Sequence, residues 1–284
     1  MESRTQFTDK EIRTLSPMEK IALIAVKNGE GSLHMSLLTS LMPRSVDKLT
    51  IGEFVHGRSK GYMQENRQVA FAMLSLQGFK SWRGRALWKG KSKEGPELES
   101  YKEMPMHRYN AYFPVHTVHY LDLVDLQGPE SFGFAGVGLG SLASTVAARS
   151  FRKRIGDQIL KPYGVEICKA PIGLRYLAYI GSEGWPVIIP VHNCRAVDSS
   201  KLILSGGLYK KELHQIPIGT EVTVFSAKLT LESVLVRGRF SGFNNHRAVH
   251  AATVSIDWVY NSMPPNSEQI YPPVPLEAVR SYQV

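Results

Sequence analysis

The chain repeats itself, and this constrains its fold more than any single motif. Lys48-Leu-Thr-Ile51 and Lys201-Leu-Ile-Leu204 stand 153 residues apart. The same offset relates Val69-Ala-Phe71 to Val222-Thr-Val224. It also relates the apolar run that starts at Ile21 and ends in Glu30-Gly31 to the run that starts at Leu174 and ends in Glu183-Gly184. Trp82-Arg-Gly-Arg-Ala86 and Val236-Arg-Gly-Arg-Phe240 stand 154 apart. Three matches at 153 and one at 154 predict two tandem copies of one module. The 284 residues then divide into two units of ordinary domain size. The expected boundaries are 15–127 for the first module, 128–165 for a link and 166–284 for the second module with a C-terminal strap.

Each copy follows one grammar. A strand ends at Gly31 or Gly184, and a second runs over His34–Leu41 or Pro186–Cys194. A third covers Leu49–Val55 or Leu202–Ser205. A short polar helix follows, Ser59–Asn66 or Tyr209–Gln215. Two long strands come next: Val69–Leu76 and Ser81–Trp88, or Glu221–Leu229 and Ser233–Phe240. A helix and a final strand close each copy. Runs rich in Val, Ile, Tyr and Phe between Gly and polar turns support the strands. The expected class is mainly β with peripheral α-helices, each module a small barrel.

The link reads Gly133-Phe-Ala-Gly-Val-Gly-Leu-Gly140 and then Ser141 to Arg154. The first part reads as a flexible loop and the second as a helix capped by Ser141. The glycines do not keep the spacing of a dinucleotide-binding fingerprint.

Three stretches of the first copy together resemble the FMN-binding split-barrel family of pyridoxamine 5′-phosphate oxidase. They are Gly31-Ser-Leu-His-Met-Ser-Leu-Leu-Thr-Ser-Leu41, Gly57-Arg-Ser-Lys-Gly-Tyr-Met-Gln-Glu-Asn-Arg-Gln-Val-Ala-Phe71, and Arg83-Gly-Arg-Ala-Leu-Trp88 followed by Glu94-Gly-Pro-Glu-Leu-Glu99. Within that family the small bacterial FMN-binding proteins are nearest in grammar. The resemblance covers residues 15 to 125. It implies tandem split barrels that form an intrachain pseudo-dimer. It also implies FMN as cofactor and hydride or electron transfer to a small organic substrate. A non-catalytic electron carrier or a haem-binding relative is the alternative.

A phosphate calls for cations, hydroxyls and backbone N–H groups, best at a helix N-terminus. Arg58, Ser59 and Lys60 stand where the third strand turns into the short helix, with Ser59 expected as its cap. The resemblance implies that the ring lies along the second strand, where Ser36, Thr39 and Ser40 are the polar side chains. In the second copy Pro186 and Pro190 remove N–H donors from that strand. Its site is expected to be altered or lost, leaving one flavin per chain.

Other candidates read as structural. His116 and His119 are three apart, so on a strand they face opposite sides and share no metal. His192 and Cys194 could face one ligand, but a core histidine is the expected outcome. Arg83, Arg85, Arg237 and Arg239 could hold carboxylates of the other copy or receive an anionic substrate. Trp82, Trp88 and Trp258 suit core or rim packing. The stretch from Pro264 to Pro275 reads as a strap anchored by Tyr271 and Leu276.

The net charge of +9 favours anionic partners. No nucleic-acid motif accompanies it, so nucleic acid is not an expected partner. The densest basic cluster is Arg149, Arg152, Lys153 and Arg154. Two cysteines and a polar N-terminal segment fit a reducing, cytoplasmic setting, with free thiols and no signal peptide. No run of about 18 apolar residues predicts a membrane helix. The partners expected are a small-molecule substrate and, compatible with the pattern, further copies of the chain.

Overall fold

The computed structural model describes residues 3–55, 57–105, 114–131, 134–149, 158–230, 232–246, 249–262 and 268–275. The chain is mainly β with peripheral helices, as the strand pattern predicts. It forms two compact units. The first comprises the chain up to Phe132 together with Ser182–Ile188; the second comprises Gly133–Gly181 and Ile189–Val279.

In the first unit α1 (Asp9–Leu15) opens on a capping box in which Thr8 and Glu11 satisfy each other's backbone N–H groups. Seven strands follow: β1 (Lys20–Lys27), β2 (Leu33–Leu37), β3 (Met42–Ser45), β4 (Lys48–Glu53), β5 (Gln68–Ser75), β6 (Lys80–Ser92) and β7 (Thr117–Ser131). Helix α2 (Arg58–Glu65) lies between β4 and β5, and α3 (Pro96–Glu103) between β6 and β7. The sheet is antiparallel, in the order β2-β1-β5-β6-β7-β4-β3. Its core gathers Ile24, Phe71, Trp82 and Leu121 with α1 and α2 contributing Leu15 and Met63.

Around the second sheet, α4 (Phe134–Ala148) and α5 (Pro162–Lys169) precede β8 (Leu174–Ile180), β9 (Pro186–Pro190), β10 (Arg195–Ala196) and β11 (Lys201–Ser205). A 3-10 turn (Gly207–Tyr209) leads into α6 (Lys210–Leu213). After it come β12 (Glu221–Ala227), β13 (Ser233–His246) and β14 (Val249–Asn261). The strand order, β9-β8-β12-β13-β14-β11-β10, is that of the first sheet, position for position. Strand β15 (Gln269–Tyr271) adds to β14, so part of the expected strap is strand; Leu276 lies outside the described residues.

The offset of 153 extends to elements with no shared motif: β2 and β9 begin at Leu33 and Pro186, and α1 and α5 begin at Asp9 and Pro162. The shared Arg-Gly-Arg motif has a backbone cause. A Cβ on Gly84 would lie 2.1 Å from the Asp125 carbonyl oxygen, and one on Gly238 would lie 2.0 Å from that of Ser255. Only glycine allows β6 and β13 to approach β7 and β14 so closely there.

Three expectations are corrected. The glycine run of the link is helix α4, and Ser141 lies inside it rather than at its cap. A Cβ on Gly140 would lie 2.9 Å from Asn193 Nδ2, so this glycine lets the helix settle on the second unit. The second unit has no closing helix: β13 ends at His246 and β14 begins at Val249. Two short strands, β3 and β10, were not expected.

Candidate functional site

Strand β4 ends at buried Glu53, and α2 begins a few residues later. Gly57 is the N-cap residue, with φ −104° and ψ 160°, and no side chain caps the helix. Ser59 is therefore inside the first turn, not the cap; a glycine at the cap leaves its hydroxyl to reach elsewhere. It lies 2.6 Å from the Ser36 hydroxyl on β2, the two sharing a hydrogen bond. His34 is two residues from Ser36 on the same strand face. Its ring meets Tyr62 edge-on, with centroids 5.8 Å apart. Tyr62 is one helical turn beyond Ser59, so one face of α2 rests on one face of β2.

Strand β2 is an outer strand, paired with β1 alone among the described residues. A Cβ on Gly57 would meet nothing within 4 Å, so the approach to the helix start is open.

The six predicted residues divide. Ser36 and Ser59 are brought together. Arg58, the first residue of α2, is exposed. Lys60 is buried; its Nζ donates to the Val55 carbonyl at 2.5 Å and lies 5.7 Å from the centre of the Phe54 ring. Burial pulls the Lys60 ammonium down to about 8, against the opposing pull of Glu53. Thr39 is half-buried in the turn after β2. Ser40 points inward: its hydroxyl donates to the Gly52 carbonyl at 2.7 Å, and its own carbonyl accepts from Tyr101 at 2.7 Å.

Beneath the helix start lies a buried chain that the sequence reading missed. Trp88 Nε1 donates to His119 Nδ1 at 3.2 Å, and His119 Nε2 lies 2.7 Å from Glu53 Oε2. An indole N–H can only donate, so Nδ1 carries no proton and Nε2 donates to the carboxylate. The signal was Glu53, an acid at the end of an apolar strand. His119 is thus held by Glu53 and Trp88, and no group of three metal-ligating side chains occurs among the described residues.

The corresponding region of the second unit is closed. Pro190, His192, Asn193, Gly206, Gly207 and Tyr209 enclose about 30 Å³, room for water only. Asn193 donates to the Ser205 carbonyl at 2.7 Å, repeating the Ser40–Gly52 tie 153 residues on. Helix α4 covers this region: Ser144 Oγ accepts from Ser205 N at 3.2 Å. His192 Nδ1 accepts from Arg175 N at 3.2 Å, and burial with the Arg175 charge lowers its pKa to about 3. Cys194 is buried and its thiol is pushed up to about 12. This pair reads as core.

The four arginines hold carboxylates. Arg83 lies 3.7 Å from Glu130, and Arg85 lies 2.5 Å from Asp125 and 2.6 Å from Glu183. Arg237 lies 3.7 Å from Glu221, its guanidinium 4.4 Å from the centre of the Trp258 ring, and Arg239 lies 3.8 Å from Glu221. Of the basic cluster, Arg149 is described; Arg152, Lys153 and Arg154 lie outside the described residues. No helix among the described residues is long and apolar enough to cross a membrane.

No family model matches the chain, and no curated protein matches it. Among solved structures it is similar to a protein of Lactobacillus delbrueckii proposed to be a pyridoxamine 5′-phosphate oxidase. The TM-score is 0.36 at 12% identity, over 45% of this chain and 100% of that one. It is also similar to an FMN-binding protein from Syntrophomonas wolfei, with TM-score 0.35 and 10% identity over 44% and 87% of the two chains. The HupZ protein of Group A Streptococcus gives TM-score 0.35 and 14% identity over 45% and 99%.

Proposed function

We propose that this chain is a flavin-binding redox protein made of two copies of one split-barrel module, with FMN held by the first. One observation carries this reading. Two hydroxyls, Ser36 and Ser59, meet 2.6 Å apart at the uncapped start of α2, where it rests on the outer strand β2. FMN presents a phosphate dianion and a flat ring with a polar rim. The first matches hydroxyls, helix N–H groups and a cation; the second matches the polar groups of an outer strand.

The residues present fit that group. Ser36 and Ser59 would each turn a hydroxyl to a phosphate oxygen, and the exposed Arg58 would pair with its charge. Lys60 would add positive potential from beneath without leaving the Val55 carbonyl. Glu53, His119 and Trp88 would hold the end of β4, and so the helix start, in place. Bound flavin would supply the hydride or electron transfer. The closed counterpart in the second unit supports one flavin per chain. The reaction partner we infer is a small organic substrate, and the setting is cytoplasmic, in keeping with two free buried thiols.

The test is an absorption spectrum of freshly purified protein with the mass of any extracted cofactor, followed by FMN titration. Flavin bands and a mass for FMN are expected. Arg58→Ala with Ser59→Ala should weaken FMN at least tenfold, as loss of charge-assisted hydrogen bonds does. Unchanged affinity would put the phosphate elsewhere. A colourless protein that takes up no FMN would sink the reading, and a Soret band would replace flavin by haem.

A further inference from the structure

The second unit carries a cavity of about 270 Å³ lined by Thr145, Ala148, Arg149, Lys169, Arg195 and Val197. It lies where the C-terminal ends of α4 and α5 meet β10. Arg195 is held in a set orientation: Nη1 donates to Thr145 Oγ1 at 2.6 Å and Nη2 to the Lys169 carbonyl at 3.0 Å. Thr145 in turn donates to the Ser141 carbonyl at 2.7 Å. A guanidinium has five N–H groups, so this fork keeps three donors to offer.

Among the described residues Arg149, Lys169 and Arg195 form no ion pair. Glu166, on α5, is taken by Lys228 at 2.5 Å. Asp198, just past Val197, accepts from Ser200 N at 2.8 Å and Ser200 Oγ at 2.9 Å. The two helix C-termini together offset about one positive charge, which leaves roughly +2 at the cavity.

The module's fold does not require these charges. At the same places in the first unit, 153 residues earlier, stand Ser16 and Met42, and α4 has no counterpart there. A cost shared by neither the fold nor the other copy points to a ligand. We propose that this cavity binds a compact phosphate-bearing small molecule through a di- or triphosphate group. Three cations around one concave site match the three or more negative charges of such a group, and a preset guanidinium fork matches its oxygens. The compact, concave shape favours a small anion over a polymer. This site is independent of the flavin reading.

Calorimetric titration of the full chain with inorganic pyrophosphate, at about 50 mM salt to limit screening, tests it. Orthophosphate and a short single-stranded RNA serve as comparison ligands. Pyrophosphate should bind, with orthophosphate at least tenfold weaker. Lys169→Gln with Arg149→Gln, both exposed side chains, should weaken pyrophosphate at least tenfold with an unchanged melting temperature. Arg195→Gln should remove binding, and because it also frees Thr145 the exposed pair is the deciding variant. No heat with pyrophosphate, equal affinity in the exposed-pair variant, or RNA binding that pyrophosphate does not displace would each overturn the proposal. Flavin absorbance followed in the same samples separates the two sites: its absence with pyrophosphate binding intact counts against the flavin reading alone.

Discussion

Two helix starts, one in each unit, occupy the same place in the same strand order and have gone different ways. In the first unit Gly57 leaves α2 uncapped and open, and Ser59 reaches across to Ser36. In the second, a 3-10 turn at Gly207–Tyr209 replaces the first helical turn, and Asn193 with α4 fills the space beside it. The strand next to each start differs in the same sense: β2 keeps its N–H groups, whereas β9 begins and ends in proline. One strand order thus accommodates an uncapped helix start in the first unit and, with α4, two prolines and one amide, packing in the second.

The largest expected break in this comparison is beneath the open site. Glu53 has Gly206 as its counterpart, so the buried Glu53–His119 contact belongs to the first unit alone. His119→Leu removes a buried hydrogen-bond donor to that carboxylate and should cost about 1–3 kcal/mol, read as a lower urea midpoint of the first unit. A cost below about 1 kcal/mol would mean that water reaches Glu53.

Acid should separate the units next. His192 stays neutral in the folded second unit, with its pKa near 3 against an ordinary 6.5. The unfolded chain takes up that proton first, so stability is full above pH 6.5 and is lost as pH falls towards 3. In the first unit Glu11 is lowered from 4.5 to about 2: burial pushes it up, and Arg4, Thr8 and Trp82 more than reverse that. Its contribution holds above pH 4.5 and fades only towards pH 2. Hydrogen exchange at pH 7.5 and pH 5 should show the second unit loosening first; equal protection of both would contradict this order.

The smallest effect contrasts two glycines. Gly140→Ala drives a methyl group into Asn193 and should cost about 1–3 kcal/mol. Gly57→Ala meets nothing and should cost under about 1 kcal/mol, from a poorer cap. Thermal melts of both variants check the pair, and equal shifts would mean that α4 is not seated on the second site.

Much of the fold could be read from residues because repetition reports position without regard to chemistry. The offset of 153 located strands that share almost no letters, such as His-Met-Ser-Leu and Val-Ile-Ile-Pro. What escaped depended on contacts distant in sequence. The glycines of α4 resemble a loop until Asn193 is seen against Gly140. Ser59 resembles a cap until Ser36 is beside it. Ser40, polar on a half-exposed strand by pattern, is turned inward by the Gly52 carbonyl and Tyr101.

The direct passage from β13 to β14 bears on how the chain reaches this structure. Two residues separate those strands, whereas 24 separate β6 from β7, their counterparts. Closing the longer connection costs roughly 2 kcal/mol more in chain entropy before any ladder forms. The second unit should therefore zip its longest hairpin early, in microseconds, and stand as a preformed half while the first is still searching.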